Sequence, residues 1–196
     1  GISNTAIGYR TLETNTTGID NTGLGLAALF SSNTANGSTG VGAYSLYTAT
    51  GAANIGLGFQ SGYSITTGSN NLLLGYQAGD NLTSGNTNII VGYQIDAPSA
   101  TGSNQLTIGN LIFGTSVDGS GATVATGNVG IADPTPDAKF DIDHTVSAAS
   151  SADSVDITST VAAQDGSDTY IGIDVNITGA DHSGVSNVLT GLDLSL

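Results

Sequence analysis

The chain is 196 residues long, with 16 acidic side chains, two basic ones and a formal net charge of −14. Its only cations, Arg10 and Lys139, cannot line a phosphate backbone or hold an anionic bilayer, which excludes nucleic-acid binding and electrostatic membrane attachment. Charged residues are 9% of the chain against about a quarter in ordinary domains, so Asn, Thr, Ser and Gly carry its solubility; with no Cys or Met, redox and oxidation chemistry have little to act on.

A glycine preceded by an aliphatic residue recurs at Gly8, Gly25, Gly42, Gly58, Gly75, Gly92 and Gly109, in steps of 17, 17, 16, 17, 17 and 17 residues. A period that short predicts one coil of a stacked β-roll or β-helix per repeat, seven coils over residues 1–114. Counting from each glycine, position −1 reads Ile7, Leu24, Val41, Leu57, Leu74, Val91, Ile108. Position −3 reads Thr5, Thr22, Thr39, Ile55, Leu72, Ile89, Leu106, and position +1 reads Tyr9, Leu26, Ala43, Phe59, Tyr76, Tyr93, Asn110. Alternation with period two places these three positions on one strand face, and their aliphatic and aromatic character predicts that it packs. The opposite face is small at first (Ala6, Gly23, Gly40, Gly56) and larger later (Leu73, Ile90).

Position −4 is a polar column, Asn4, Asn21, Ser38, Asn54, Asn71, Asn88 and Gln105, expected to bond to backbone and to the same residue one coil on. A glycine fixed in each strand implies a close backbone approach or a bend. Second glycines at Gly18, Gly68, Gly85, Gly102 and Gly119, with Gly37 and Gly51 displaced, mark turns. Each coil offers few large apolar side chains and no disulfide is available. Three copies around a common axis, burying the −3, −1, +1 face, are the expected remedy.

Asn4-Thr5-Ala6-Ile7-Gly8-Tyr9-Arg10 and Asn71-Leu72-Leu73-Leu74-Gly75-Tyr76-Gln77-Ala78-Gly79 resemble the repeats of bacteriophage tail fibres. They are also similar to the head repeats of trimeric autotransporter adhesins, whose shorter coil favours the phage side. The resemblance implies parallel β-roll coils in an intertwined homotrimer. Residues 115–139 read as a Gly/Pro linker: Gly127-Asn128-Val129-Gly130-Ile131, then Pro134, Pro136 and Ala138-Lys139-Phe140-Asp141-Ile142, is similar to a linker of phage fibres. It departs from that pattern at Ala132-Asp133, where the relatives have Gly and a hydroxyl residue.

Twelve of the 16 acids lie beyond residue 112. From residue 140 a second motif repeats, Phe140-Asp141-Ile142, Val155-Asp156-Ile157, Ile173-Asp174-Val175 and Leu192-Asp193-Leu194, and predicts a β-meander or β-spiral shaft over 140–196. Ile171, Ile173, Val175 and Ile177 alternate there with polar or small residues, as in a half-buried strand. Only Ala27-Ala28-Leu29 and Ala148-Ala149-Ser150 have helical composition, and both are too short to stand alone.

Candidate sites are sparse. His144 and His182 sit beside Asp in polar turns with no nucleophile elbow, and Glu13 is the sole glutamate, in a Thr-rich turn. No catalytic residue and no cofactor is expected. Asp141, Asp143 and His144 are weak metal-ligand candidates, since a trimer axis would triple any inward ligand. The threonines Thr5, Thr22 and Thr39 give way to Ile55, Leu72 and Ile89, the behaviour of a packing column and not of an ice-binding array. Tyr9, Phe59, Tyr76 and Tyr93 would offer a sugar-stacking strip only if left uncovered.

The expectation is therefore a structural segment of a virion fibre, tail or head, acting as a rigid homotrimeric spacer for host attachment. It would lie on the virion exterior, bound to two further copies of itself and to other virion proteins, with a host-surface glycan as a further partner. The alternatives are the head or stalk of a bacterial trimeric surface adhesin and a fragment of a polysaccharide-degrading tailspike. Neither nucleic acid nor membrane insertion enters this reading, and the sequence designates no receptor-binding residue.

Overall fold

The computed structural model describes residues 1–142. The expectations placed on Asp143, His144, His182, Ala148-Ala149-Ser150 and the alternating run 171–177 lie outside the described residues.

Ten strands of three residues each form one sheet in chain order: β1 (Thr5–Ile7), β2 (Thr22–Leu24), β3 (Thr39–Val41), β4 (Ile55–Leu57), β5 (Leu72–Leu74), β6 (Ile89–Val91), β7 (Leu106–Ile108), β8 (Ile112–Gly114), β9 (Val129–Ile131) and β10 (Phe140–Ile142). Strands β1 to β7 are parallel and in register, Thr5 opposite Thr22, Thr22 opposite Thr39, and Thr39 opposite Ile55 across the 16-residue step. The molecule is thus an all-β solenoid of stacked coils of about 17 residues, as the spacing predicts. After β7 the chain reverses. Strand β8 runs antiparallel to both β7 and β9, and β10 returns parallel to β9. Part of the expected linker therefore continues the same sheet. The described residues contain no helix, and Ala27 and Leu29 instead take left-handed backbone at φ 51° and 52°.

The interior is built from different columns than the alternation suggests. Position −2 points inward: Gly23, Gly40, Gly56, Leu73, Ile90 and Thr107 are buried. With it lie Leu12, Leu29 and Leu46 at position +4, and Ala49, Ile65 and Leu82 at position +7. The −3, −1 and +1 face, read from sequence as the packing face, lies on the outside of the coil. The reason is width: a three-residue strand sends one side chain inward, the central one.

At five successive coil steps, from β2 to β6, position −2 packs on position +4 of the coil before it, and in each of these pairs one member is glycine. The pairs are Leu12–Gly23, Leu29–Gly40, Leu46–Gly56, Gly62–Leu73 and Gly79–Ile90. A Cβ built on Gly40 would stand 3.1 Å from Leu29 Cγ, and one on Gly62 would stand 2.5 Å from Leu73 Cδ1. The large residue comes from position +4 in the first three pairs and from position −2 in the last two. Across these five pairs the interior keeps one large aliphatic side chain per step and changes only its donor.

The repeat glycine is required by backbone as well as space. Gly25 adopts φ 135°, and a Cβ there would meet the carbonyl carbon of Gly42 at 2.7 Å. The polar column forms a buried ladder: the Asn71 N–H donates to Asn54 Oδ1 (3.0 Å), the Asn88 N–H to Asn71 Oδ1 (2.9 Å) and the Gln105 N–H to Asn88 Oδ1 (2.9 Å). Each amide nitrogen reaches on to a turn carbonyl of the next coil, Asn71 Nδ2 to Gly85 O and Asn88 Nδ2 to Gly102 O, both at 3.0 Å. These side chains lie buried, where an unmet polar group would be costly, and the ladder meets that demand coil after coil.

Candidate functional site

The outward face of β1 to β7 is an apolar strip. Along it Ile7, Leu24, Ile55, Leu74, Ile89 and Ile108 are exposed, Ile7 by 59% and the others by about two-fifths. Strand geometry causes this: positions −3 and −1 flank the inward −2 residue and must both point out. The strip changes composition at β4, where position −3 passes from Thr5, Thr22 and Thr39 to Ile55, Leu72, Ile89 and Leu106.

Beside it run two aromatic ladders. At position +1, Phe59 stacks on Tyr76 (ring centroids 5.2 Å, interplanar angle 15°) and Tyr76 on Tyr93 (5.1 Å, 14°). At position +5, Phe30 stacks on Tyr47 (5.0 Å, 8°) and Tyr47 on Tyr63 (5.2 Å, 5°). Tyr44 joins them edge-on, 5.8 Å from Tyr47 and 6.2 Å from Phe59. Near-parallel stacking at the coil rise turns ring faces toward one another and leaves edges and hydroxyls outward. A sugar stacks on a ring face, so the interior of these ladders does not form the sugar-stacking strip considered from sequence. Tyr9 stands apart, since Leu26 and Ala43 interrupt its column. A glutamine ladder borders the strip, Gln77 Nε2 donating to Gln60 Oε1 (2.9 Å) and Gln94 Nε2 to Gln77 Oε1 (3.1 Å).

Charge is confined to the margins. Arg10 pairs with Glu13 at 2.5 Å and lies over the Phe30 ring, 4.6 Å from its centroid. Glu13 is thereby committed to an ion pair. Asp80 is held above the usual carboxylate range, first by burial and then by its hydrogen bond with Asp96. Asp118 is held below the usual range by the Thr126 N–H and hydroxyl, both at 2.7 Å. Of the metal candidates, only Asp141 is described; it lies in β10 and accepts the Asp137 N–H at 3.1 Å. Among the described residues, no three His, Asp or Glu side chains converge on one point.

Two features escaped the sequence reading. The Phe30–Tyr47–Tyr63 ladder carries the 16-residue step between its last two members and emerges only when whole coils are aligned. The inward Leu12, Leu29 and Leu46 sit in left-handed turn positions, where no alternation marks them. Compared with known proteins, the chain matches no protein-family model, no curated protein and no solved structure.

Proposed function

We propose that the chain is a structural segment of a virion fibre, of the tail or head type, working as a rigid homotrimeric spacer on the particle's exterior. The observation that carries this reading is the apolar strip over β1 to β7, laid along a solenoid that fills its own interior without it. Apolar side chains aligned over seven strands are an extended patch of the kind that proteins cover. Three copies turning this strip to a common axis would cover it, with the aromatic and glutamine ladders at the seam. The repeat sequence, with its likeness to phage fibres, supplies the biological setting. The rest of the surface, rich in Asn, Thr and Ser, is that of a spacer exposed to solvent.

Light scattering on a sizing column tests the assembly. The expected mass is three times 19.3 kDa, and a stable 19.3 kDa particle would overturn it. The double variant Leu74→Asp/Val91→Asp, placed on the strip and outside the coil interior, is expected to dissociate the trimer while retaining its β-sheet circular dichroism. Neighbouring genes separate the two biological settings: tail-assembly genes support the virion, and an outer-membrane anchor in the same reading frame would support the surface adhesin.

A further inference from the structure

Of the three prolines Pro98, Pro134 and Pro136, only Pro134 follows an aspartate. The Asp133–Pro134 bond lies between β9 and β10, past the last coil. Its surroundings constrain it. Ala132 holds a left-handed backbone at φ 58° although it is not glycine. The Asp133 carbonyl oxygen packs against Gly130, where a Cβ would come within 2.2 Å of it. Asp133 Oδ1 accepts the Thr135 N–H at 2.8 Å and the Thr135 hydroxyl at 3.3 Å. Both donors belong to the residue after Pro134, so the carboxylate is tied to the prolyl side of the Asp133–Pro134 bond. Among the described residues no other group hydrogen-bonds this carboxylate. The nearby Lys139 ammonium is held by the Thr126 and Gly127 carbonyls, and Asp141 by the Asp137 N–H.

We propose that Asp133–Pro134 is a self-cleaving bond, poised by the fold to part the repeat body from residues 134–196 in acidic surroundings. The amide nitrogen of proline carries no hydrogen and leaves as a secondary amine once protonated. A carboxylate is a competent nucleophile when it is fixed beside its target. Asp133 Oδ2 attacks the Asp133 main-chain carbonyl carbon, and a proton from solution goes to the Pro134 nitrogen. The C–N bond breaks with its electron pair passing to nitrogen, leaving a five-membered cyclic anhydride on Asp133 and a new amino terminus at Pro134. Water opens the anhydride, restores the carboxyl and makes Asp133 a carboxyl-terminal residue. One water is consumed, and nothing is oxidised or reduced.

The test is intact-mass spectrometry of the full chain held at about pH 4, inside the ordinary carboxylate range, and at about pH 7. The expected result at the lower pH is two products whose masses sum to the parent plus one water, with new ends at Asp133 and Pro134. Asp133→Asn should give neither product. The native chain should cleave about tenfold faster than the same chain in urea, because only the native turn orients the carboxylate. Thr135→Pro, which removes both donors, should fall to the urea rate. The proposal fails if the native chain cleaves no faster than the unfolded one, if other aspartyl bonds break equally, or if either variant behaves like the parent.

Discussion

Exchanging the members of one interior pair tests how the solenoid is packed. Leu46 is fully buried against Gly56, and a Cβ on Gly56 would stand 2.8 Å from Leu46 Cγ and 2.6 Å from Ser45 Oγ. Gly56→Leu alone should therefore overpack the coil and cost about 1–3 kcal/mol. Leu46→Gly alone removes a buried side chain, a loss of about 3–5 kcal/mol, and regains about 1 kcal/mol because Leu46 holds φ 50°. If the effects were independent, the double variant would lose about 3–7 kcal/mol. The exchange instead reproduces the Gly62–Leu73 pair, including its polar neighbour: Ser61 Oγ donates to Leu73 O as Ser45 Oγ donates to Gly56 O, both at 2.9 Å. The double variant should accordingly lie within about 1 kcal/mol of the parent, a coupling of at least about 2 kcal/mol. Urea unfolding followed by circular dichroism at fixed protein concentration reads all four species. An additive loss in the double variant would refute the reciprocal-volume argument.

Other perturbations have equally definite outcomes. Asn15 occupies the inward position +7 of the first coil with both side-chain polar atoms buried and unpartnered, so Asn15→Leu should raise stability by about 1–3 kcal/mol in a thermal melt. Asn71→Ala removes the acceptor of the Asn88 N–H and the donor to Gly85 O, and should cost about 3 kcal/mol or more by urea titration. Gly37 has room for a side chain but holds φ 66°; Gly37→Val should lower the melting temperature, whereas Ala53→Gly, at φ 55° in the same column, should be neutral or stabilising. The raised Asp80 value means that the folded state binds this proton more readily than the unfolded state. Its relative stabilisation is present below the ordinary value of 3.8 and is lost as pH rises through the folded value, so Asp80→Asn should stabilise the protein at neutral pH. Asp118 has the opposite sign: its contribution is present above the ordinary value and lost as pH falls, and Asp118→Asn should flatten that part of the acid limb.

Much of the coil was legible because its requirements repeat. A glycine that must hold φ near 135° beneath the next backbone has no substitute, so it recurs and sets the period. The asparagine ladder was legible for the same reason, since buried amides at one position need amides or hydroxyls at the next. The inside and outside of the strand were not. Both faces are apolar in β5 and β6, where Leu72, Leu73 and Leu74 or Ile89, Ile90 and Val91 stand in succession, and apolarity cannot then choose between them. In β2 and β3 the inward residue is a glycine, Gly23 or Gly40, whose partner Leu12 or Leu29 lies in a turn. A core shared between a strand and a turn has no single period. The aromatic columns were half legible, since Phe59, Tyr76 and Tyr93 keep the spacing of the repeat glycine while Tyr47 and Tyr63 straddle the shortened coil.

The division of labour between the two strand faces bears on function. Closing the coil requires the −2, +4 and +7 columns, the amide ladder and the repeat glycines, and these columns supply most of the buried core of the described coils. The outward leucines, isoleucines and valines lie outside the buried core cluster, and on a solvated surface they favour unwanted association. Their persistence through every coil from β1 to β7 is what the proposed trimer would account for. The strip also grows more apolar from β4 onward, where Ile55 replaces the Thr39 of the preceding strand. One strand later the interior passes from turn-donated to strand-donated side chains, Gly56 of β4 still being filled by Leu46 while Leu73 of β5 fills its own coil against Gly62. Inner and outer faces thus change within one strand of each other, and in the proposed trimer the later coils would bring the more apolar strip to the axis. Charge substitutions at Ile89 or Val91 should consequently weaken self-association more than the same changes at Thr22 or Leu24, an asymmetry that mass measurements across a dilution series can read.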